Sequence, residues 1–452
     1  MSANLKQVST NANWSPTSWQ TKNAQQQANY PDLDALNNVV KQLSALPPLV
    51  TSYEVDRLRE DIAQAQRGER FILQGGDCAE SLNECNSNKI AKTLKILLQM
   101  SLVLRYGMKI PVSVIGRLAG QYAKPRSADL ETKDGVTLPS YRGDLINQAD
   151  FTEAARIPDP ALLLKGYQYA GLTINFVRSL IDGGFSEIRH AEDWDLDFAA
   201  HSPQADEFHA IVKTILDSIG LFETFNDGRG ASHSNQMVYT SHEGLHLHYE
   251  QAQTRYLDKR QNWYNLSTHM PWIGARTADI DDAHVEYFRG IRNPIGIKLG
   301  PAMTRSWLYG LLDTLNPNNE EGRIVLIHRF GANKIEKHLP ELISAVQNKG
   351  SKVLWMCDPM HGNTESTADG IKTRRFANIA KEVELAFKVH QQHNSRLGGV
   401  HFELTGENVT ECTGGARGLA DHELGRAYKT QVDPRLNYEQ ALELALGIIK
   451  ME

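Results

Sequence analysis

The sequence predicts an α/β chain folded as a (β/α)8 TIM barrel, with an N-terminal helical extension and helical insertions. Three observations support this. From residue 69 onward, short apolar runs alternate with longer helical patterns, the signature of parallel βαβ units. The alternation persists over about 370 residues, which favours a closed barrel over a doubly wound sheet. Residues of chemical use also recur where the apolar runs end, and strand ends converge on one face of a barrel.

The elements follow in order. Residues 1 to about 30 are rich in Asn, Gln, Ser and Thr and predict a loosely ordered tail, with Trp14 and Trp19 as docking points. Residues 32–46 and 53–67 carry apolar positions at three- and four-residue spacing, split by Pro47-Pro48, and predict two helices. The expected division is therefore a tail and helical extension over 1–68 and a catalytic barrel over 69–452. The barrel begins at Phe71-Ile72-Leu73 and leads into Gly75-Gly76-Asp77-Cys78. A helix over 89–107 comes next, then a run over 111–115 ending in Gly116-Arg117. Further runs lie at 187–190, 236–240, 264–267, 295–299, 324–328, 353–356 and 400–404, with helical patterns such as 335–347 and 376–390 between them. That makes nine runs for eight barrel positions, and 187–190 is the weakest, falling in an expected insertion.

Composition narrows the function classes. The net charge of −6 offers no bulk attraction to nucleic acid or to an anionic membrane, so any anion binding must come from locally placed Arg and Lys. Four cysteines, Cys78, Cys85, Cys357 and Cys412, are too few and too scattered for a disulfide framework. The most apolar run, 96–104, is broken by Gln99 and Ser101 and falls short of the ~20 residues that span a bilayer. The N-terminus resembles neither a signal peptide nor a transit peptide, so a cytoplasmic location is expected.

The residues at the run ends define the expected chemistry. Cys78 follows the first run and Arg117 the second; Arg276 follows Trp272-Ile273-Gly274. Lys298, Arg329, Asp358, His361 and Glu403 lie at or just beyond four later runs. The cations Arg117, Lys124, Arg126, Arg276, Lys298 and Arg329 would repel one another unless anions neutralised them, which points to a substrate with more than one anionic group. Cys78, His361 and Glu403, with Asp433 as a further candidate, would make a mixed-donor site for a divalent metal. A thiolate on a metal is deprotonated outright, which would set Cys78 apart from an ordinary buried thiol. His242-Glu243-Gly244-Leu245-His246 also matches the zinc-protease pattern H-E-x-x-H. That pattern works only on a helix, whereas a strand-like run precedes it here and Gly244 would cost about 1 kcal/mol inside a helix.

These segments resemble those of class II (plant-type) 3-deoxy-D-arabino-heptulosonate 7-phosphate (DAHP) synthases, over nearly the whole chain from about residue 45. The resemblance is carried by Leu73-Gln74-Gly75-Gly76-Asp77-Cys78-Ala79-Glu80, Ala119-Gly120-Gln121-Tyr122-Ala123-Lys124-Pro125-Arg126-Ser127 and Ser140-Tyr141-Arg142-Gly143-Asp144. It continues through Lys298-Leu299-Gly300-Pro301, Cys357-Asp358-Pro359-Met360-His361-Gly362-Asn363-Thr364 and Glu403-Leu404-Thr405-Gly406-Glu407-Asn408-Val409-Thr410-Glu411-Cys412, and closes on Asp433-Pro434-Arg435-Leu436-Asn437. It implies condensation of phosphoenolpyruvate with erythrose 4-phosphate and water at the head of the shikimate pathway, which feeds aromatic amino acids or aromatic secondary metabolites. Manganese or cobalt is implied on Cys78, His361, Glu403 and Asp433. Phosphoenolpyruvate is implied on Arg117, Arg276, Lys298 and Arg329, and erythrose 4-phosphate on Lys124, Arg126 and Ser127. Lys298, Cys78 and His361 are the expected catalytic residues, Lys298 orienting or deprotonating the attacking water. A homo-oligomer is implied as well, and the resemblance leaves room for an aromatic feedback effector.

Two positions depart from the family pattern. Ala275 stands where members carry Glu or Asp between Gly and Arg, which removes a carboxylate near the phosphoenolpyruvate site. Val432 stands where many members carry Cys, so Cys78 has no thiol partner in that segment. Ala275 is the one feature that favours a non-catalytic relative keeping only the barrel; the intact set Cys78, His361, Glu403, Arg276 and Lys298 argues against it.

Overall fold

The structure is a computed structural model that describes residues 14–183, 205–225 and 237–451. The expected run at 187–190 lies outside the described residues.

Eight parallel strands form the barrel. They are β1 (Phe71–Gly76), β2 (Val112–Arg117), β3 (Val238–Thr240), β4 (Trp272–Ile273), β5 (Ile295–Leu299), β6 (Ile324–His328), β7 (Val353–Cys357) and β8 (Leu397–Glu403). Hydrogen bonding runs β3-β2-β1-β8-β7-β6-β5-β4, with every pair parallel. The two ends of that run meet through a parallel bridge between Glu243 and Trp272, with Trp272 N donating to His242 O at 3.0 Å and Gly244 N to Trp272 O at 3.0 Å. Strand order therefore follows chain order around the ring, as successive βαβ units dictate.

The described helices of seven or more residues are α1 (Leu33–Ala45), α2 (Ser52–Arg67), α3 (Ser87–Met108), α4 (Ala161–Asp182), α5 (Ala205–Phe225), α6 (Ala283–Arg289), α7 (Arg305–Leu315), α8 (Ile335–Lys349), α9 (Phe376–Gln392) and α10 (Tyr438–Ile448). The sequence places 264–267 among the barrel runs, but 262–265 pairs antiparallel with 254–257 in a surface hairpin. The fourth barrel position belongs instead to Trp272–Ile273. A two-residue strand between Pro271 and Gly274 is too short to show a period of two.

Strand alternation sorts the side chains. Ile72, Ile115, Tyr239, Val325, Ile327, Leu354 and Met356 fill the barrel interior, while Phe71, Leu73, Val114, Ile324 and Leu326 pack outward with the helical layer. The interior is completed by α2, whose Leu58, Ile62 and Ala65 pack among the inward residues. A capping box starts this helix: the Thr51 hydroxyl accepts from Glu54 N, and Glu54 accepts from Thr51 N. Asp61 of α2 accepts from the Ser113 hydroxyl at 2.7 Å and the Tyr239 hydroxyl at 2.9 Å, which ties the helix to β2 and β3. Helix α2 thus closes the end of the barrel where the strands begin. Leu58→Ala should destabilise the fold by about 2–5 kcal/mol, since Leu58 is fully buried among the inward side chains; denaturant titration would read the loss, and an unchanged midpoint would contradict the plug.

The segment ahead of α1 is held against the barrel. Trp14 and Trp19 are buried at 7% and 4% exposure, and their indole N–H groups donate to Glu286 O and to Gln251 Oε1, both at 2.9 Å.

Candidate functional site

The open mouth lies where the strands end. At the close of β1, Gly76 adopts φ 143°, and a Cβ there would sit 2.5 Å from the Arg117 carbonyl oxygen. Glycine therefore lets β1 and β2 approach closely just before Cys78. Past β2, the turn at 119–121 is held by one carboxylate: Glu80 accepts from the backbone N–H of Ala119, Gly120 and Gln121 at 2.8–2.9 Å. That turn leads to Lys124. Inward positions of β5 and β8 supply Lys298 and Glu403, and the loops after β4, β6 and β7 supply Arg276, Arg329 and His361. Asp433 arrives from the loop before α10. Together these residues line one cleft of about 340 Å³, with Cys78, Arg117, Gln121, Glu243, Trp272 and Ala275 in the same wall.

The donor atoms Cys78 Sγ and the carboxylates of Glu403 and Asp433 lie within 4.8 Å of one another. Glu403 Oε1 accepts from Arg117 Nη2 at 3.0 Å and faces His361 Nε2 at 3.0 Å. Its Oε2 is buried without a hydrogen bond, although Arg374 Nη1 is 2.7 Å away. Burial works against ionisation of Glu403, but the His361 ring, Arg374 and Arg117 together hold its carboxyl well below the usual range. The His361 ring places Nδ1 on Asp358 Oδ2 at 2.7 Å, which turns Nε2 toward Glu403. Burial and the Glu403 carboxylate push the Cys78 thiol up to about 12, against the pull of Lys124. Lys124 Nζ sits 2.5 Å from Cys78 Sγ and 2.5 Å from Asp433 Oδ2, a cation among the donors. Burial opposes ionisation of Asp433 too, yet Lys124 holds its carboxyl low. A thiol and two carboxylates within 4.8 Å of one another, with the His361 imidazole against one of the carboxylates, fit a divalent transition metal.

The cations of the cleft fall into two groups. Arg117 is spent on protein: it donates to Asp77 O, Cys78 O and Glu403 and meets His401 Nε2 at 2.6 Å. Lys298 Nζ donates to Asp358 Oδ2 at 2.5 Å, and that carboxylate also orients His361. Burial, with Arg117 and Arg329 adding to it and Asp358 opposing, brings the Lys298 ammonium down to about 8. Arg276 and Arg329, by contrast, have no ion pair among the described residues, and Arg329 Nε is buried without a partner. Two open guanidinium groups on one wall make an anion site.

Two sequence-predicted residues lie apart from this wall. Arg126 pairs with Glu131 at 2.6 Å, and Ser127 is exposed; neither lines the cleft. Residues that sequence reasoning passed over include Glu80, Arg374 and Glu382. Glu382 accepts from Phe330 N and Gly331 N at 2.9 Å and from Asn363 Nδ2 at 2.7 Å. It thereby pins together the loops that carry Arg329 and His361, from a helix far along the chain. The H-E-x-x-H segment is not helical: residues 241–246 form a loop before a short helix, Leu247–Ala252. His242 Nε2 bonds Glu250 at 2.8 Å and His246 Nε2 bonds the Tyr30 hydroxyl at 2.8 Å, so the two rings serve different contacts and the protease reading falls.

Comparison with known proteins points to one family. Residues 14–449 match the model of the class-II DAHP synthetase family. A protein of Streptomyces coelicolor called phospho-2-dehydro-3-deoxyheptonate aldolase is 44% identical over 447 residues, covering 98% of this chain and 99% of the relative. A Neurospora crassa protein of the same name is 44% identical over 448 residues, 96% of this chain and 93% of its own. Among the described residues no helix is long and apolar enough to cross a membrane.

Proposed function

The chain belongs to the class-II DAHP synthetase family and is a transferase of that kind, a DAHP synthase; on that premise we propose that it condenses phosphoenolpyruvate with erythrose 4-phosphate and water, releasing phosphate, in a metal-dependent reaction. The observation that carries this reading is the single cleft in which unpaired Arg276 and Arg329 stand beside the donors Cys78, His361, Glu403 and Asp433.

Phosphoenolpyruvate brings a carboxylate and a phosphate, and the two free guanidinium groups with the Lys298 ammonium answer those charges. A divalent metal, manganese or cobalt as the family resemblance implies, would be held by Cys78, His361, Glu403 and Asp433, and when bound supplies Lewis-acid polarisation of the erythrose 4-phosphate aldehyde. Asp358 fixes Lys298 and the His361 ring with a single carboxylate, so the two stay in register. Lys124, in the cleft wall with Pro125, suits the phosphate of the second substrate. A homo-oligomer is part of the proposal, as the family resemblance implies.

The test is phosphate release with both substrates and added manganese, with and without chelator. Release that needs erythrose 4-phosphate and metal is expected, and its absence would overturn the reading. Arg329→Ala should raise the phosphoenolpyruvate KM by about 10–100-fold, as loss of a charge-assisted bidentate contact worth some 1.5–3 kcal/mol implies. Steady-state kinetics at varied phosphoenolpyruvate would show it, and an unchanged KM would remove Arg329 from the site.

A further inference from the structure

A second group of metal-ligating side chains lies outside the cleft. His328 ends β6 and Cys357 ends β7, and the two are register partners on adjacent parallel strands. Both point away from the barrel interior, since they continue the outward series Ile324 and Leu326 of β6 and Trp355 of β7. Opposite them α9 brings Glu382, and one donor atom from each of the three side chains lies within 4.8 Å of the others. All three residues are fully buried, and none lines the substrate cleft.

The His328 ring is the anomaly. Neither of its nitrogens has a hydrogen-bond partner, although an imidazole carries a donor or a lone pair at each. Phe330 stacks on the ring at 5.8 Å, and Trp355 and His390 close in at 6.4 and 5.9 Å. His390, on α9, bonds the Ser395 hydroxyl through Nδ1 at 2.9 Å and leaves Nε2 buried without a partner as well. Glu382 is fixed by Phe330 N, Gly331 N and Asn363 Nδ2, three bonds that leave lone-pair capacity on its carboxylate. Without an ion, burial brings the His328 imidazolium down to about 3, pushes the Glu382 carboxyl up to about 8 and holds the Cys357 thiol well above its usual range. A thiolate and a carboxylate would cancel the charge of a dication, with the imidazole as the neutral donor. The charge of the sealed site then sums to zero, the condition that a buried ion must meet.

We propose that His328, Cys357 and Glu382 form a second metal site, holding a structural zinc ion between β6, β7 and α9. Zinc takes thiolate, imidazole and carboxylate donors at about 2.0–2.3 Å. Donors at that range stand about 3.5 Å apart in a tetrahedron, so small side-chain rotations close these three on an ion. His390 Nε2, unpartnered beside them, is the fourth donor that a closed structural site requires. As the ion binds, the thiol and the carboxyl each release a proton to solvent. Glu382 already pins the loops that carry Arg329 and His361, and an ion on its carboxylate braces that pin from behind. The inference stands apart from the proposed condensation and from the cation of the cleft.

The test uses the full chain, expressed with added zinc and dialysed, with zinc counted by elemental analysis. His328→Leu should hold one equivalent fewer than wild type and melt about 5 °C lower, as loss of a bound structural ion implies. Cys78→Ser, which empties the cleft, should leave that equivalent in place. The midpoint separates an ion from an ordinary buried histidine. With no ion, His328→Leu only removes unsatisfied polar atoms, and the midpoint would hold or rise. Equal zinc in wild type and His328→Leu overturns the inference, and a water held by the same atoms would give that result. If His328→Leu does not fold, cobalt decides. A Cys78→Ser chain folded with cobalt should show thiolate-to-cobalt charge-transfer absorption, and Cys78→Ser/Cys357→Ser should not. Absence of the band from Cys78→Ser, or its persistence in the double variant, overturns the inference. A wild type that holds this zinc yet releases no phosphate would overturn the proposed reaction alone.

Discussion

Cys78→Ser is expected to strip the cleft of its divalent cation and to lower turnover by about 100- to 1,000-fold, the scale of a lost Lewis acid worth several kcal/mol. The thiol is 1% exposed and sits between Glu403, Asp433 and Lys124, so little can rearrange to take its place. With no metal, burial and Glu403 keep it protonated to about 12; a bound cation reverses that by taking the thiolate as ligand. A serine hydroxyl at the same point stays protonated and is a poor donor for a transition metal. Metal content after dialysis and erythrose-phosphate-dependent phosphate release give two independent readouts. A Cys78→Ser chain that keeps the wild-type metal content and near-normal turnover would refute the ligand assignment.

Lys298→Met should cost about 100- to 10,000-fold in kcat, the range for a residue that moves or orients a proton in the reaction. The amine is buried, and without it Asp358 would lose its ammonium partner and keep its contact with the His361 ring. The sign of the pH effect follows from the lowered value. Below about 8 the amine is an ammonium that donates to Asp358 and to ligand; above about 8 it is neutral and that charge is gone. Wild-type kcat/KM should therefore fall as pH rises through about 8. Lys298→Arg keeps its charge across that range, so its activity, lower in absolute terms, should lose the alkaline fall. A pH–rate profile decides this, and an alkaline limb that persists in Lys298→Arg would assign it to another group.

Much of this site can be read from the sequence because strand ends surface together. Cys78, Lys298, His361 and Glu403 each lie at the end of a clear apolar run or just past it, and the alternation of β5 and β8 aims Lys298 and Glu403 inward. Partnership is harder to read. Arg117 and Arg329 look alike in sequence, yet one is saturated by Glu403, His401 and two carbonyls while the other is open. Glu382, on α9, and Glu80 act through backbone N–H groups, which carry no sequence signal at a distance. Arg126 has the right charge and the right neighbours, but Glu131 of a nearby hairpin claims it. Glu243 was hidden by its own motif: the H-E-x-x-H pattern directs attention to the two histidines, and the residue that faces the cleft is the glutamate between them.

The plug formed by α2 has a consequence for traffic. With Leu58, Ile62 and Ala65 packed into the far end, the barrel is open at one end among the described residues, and reactants, water and both products share it. Lys298, Arg329 and Lys124 line that same cleft, so both substrates use one approach and each crowds the other's path. Ordered binding, with one substrate showing no productive binding to the empty enzyme, is the kinetic pattern expected of a shared approach.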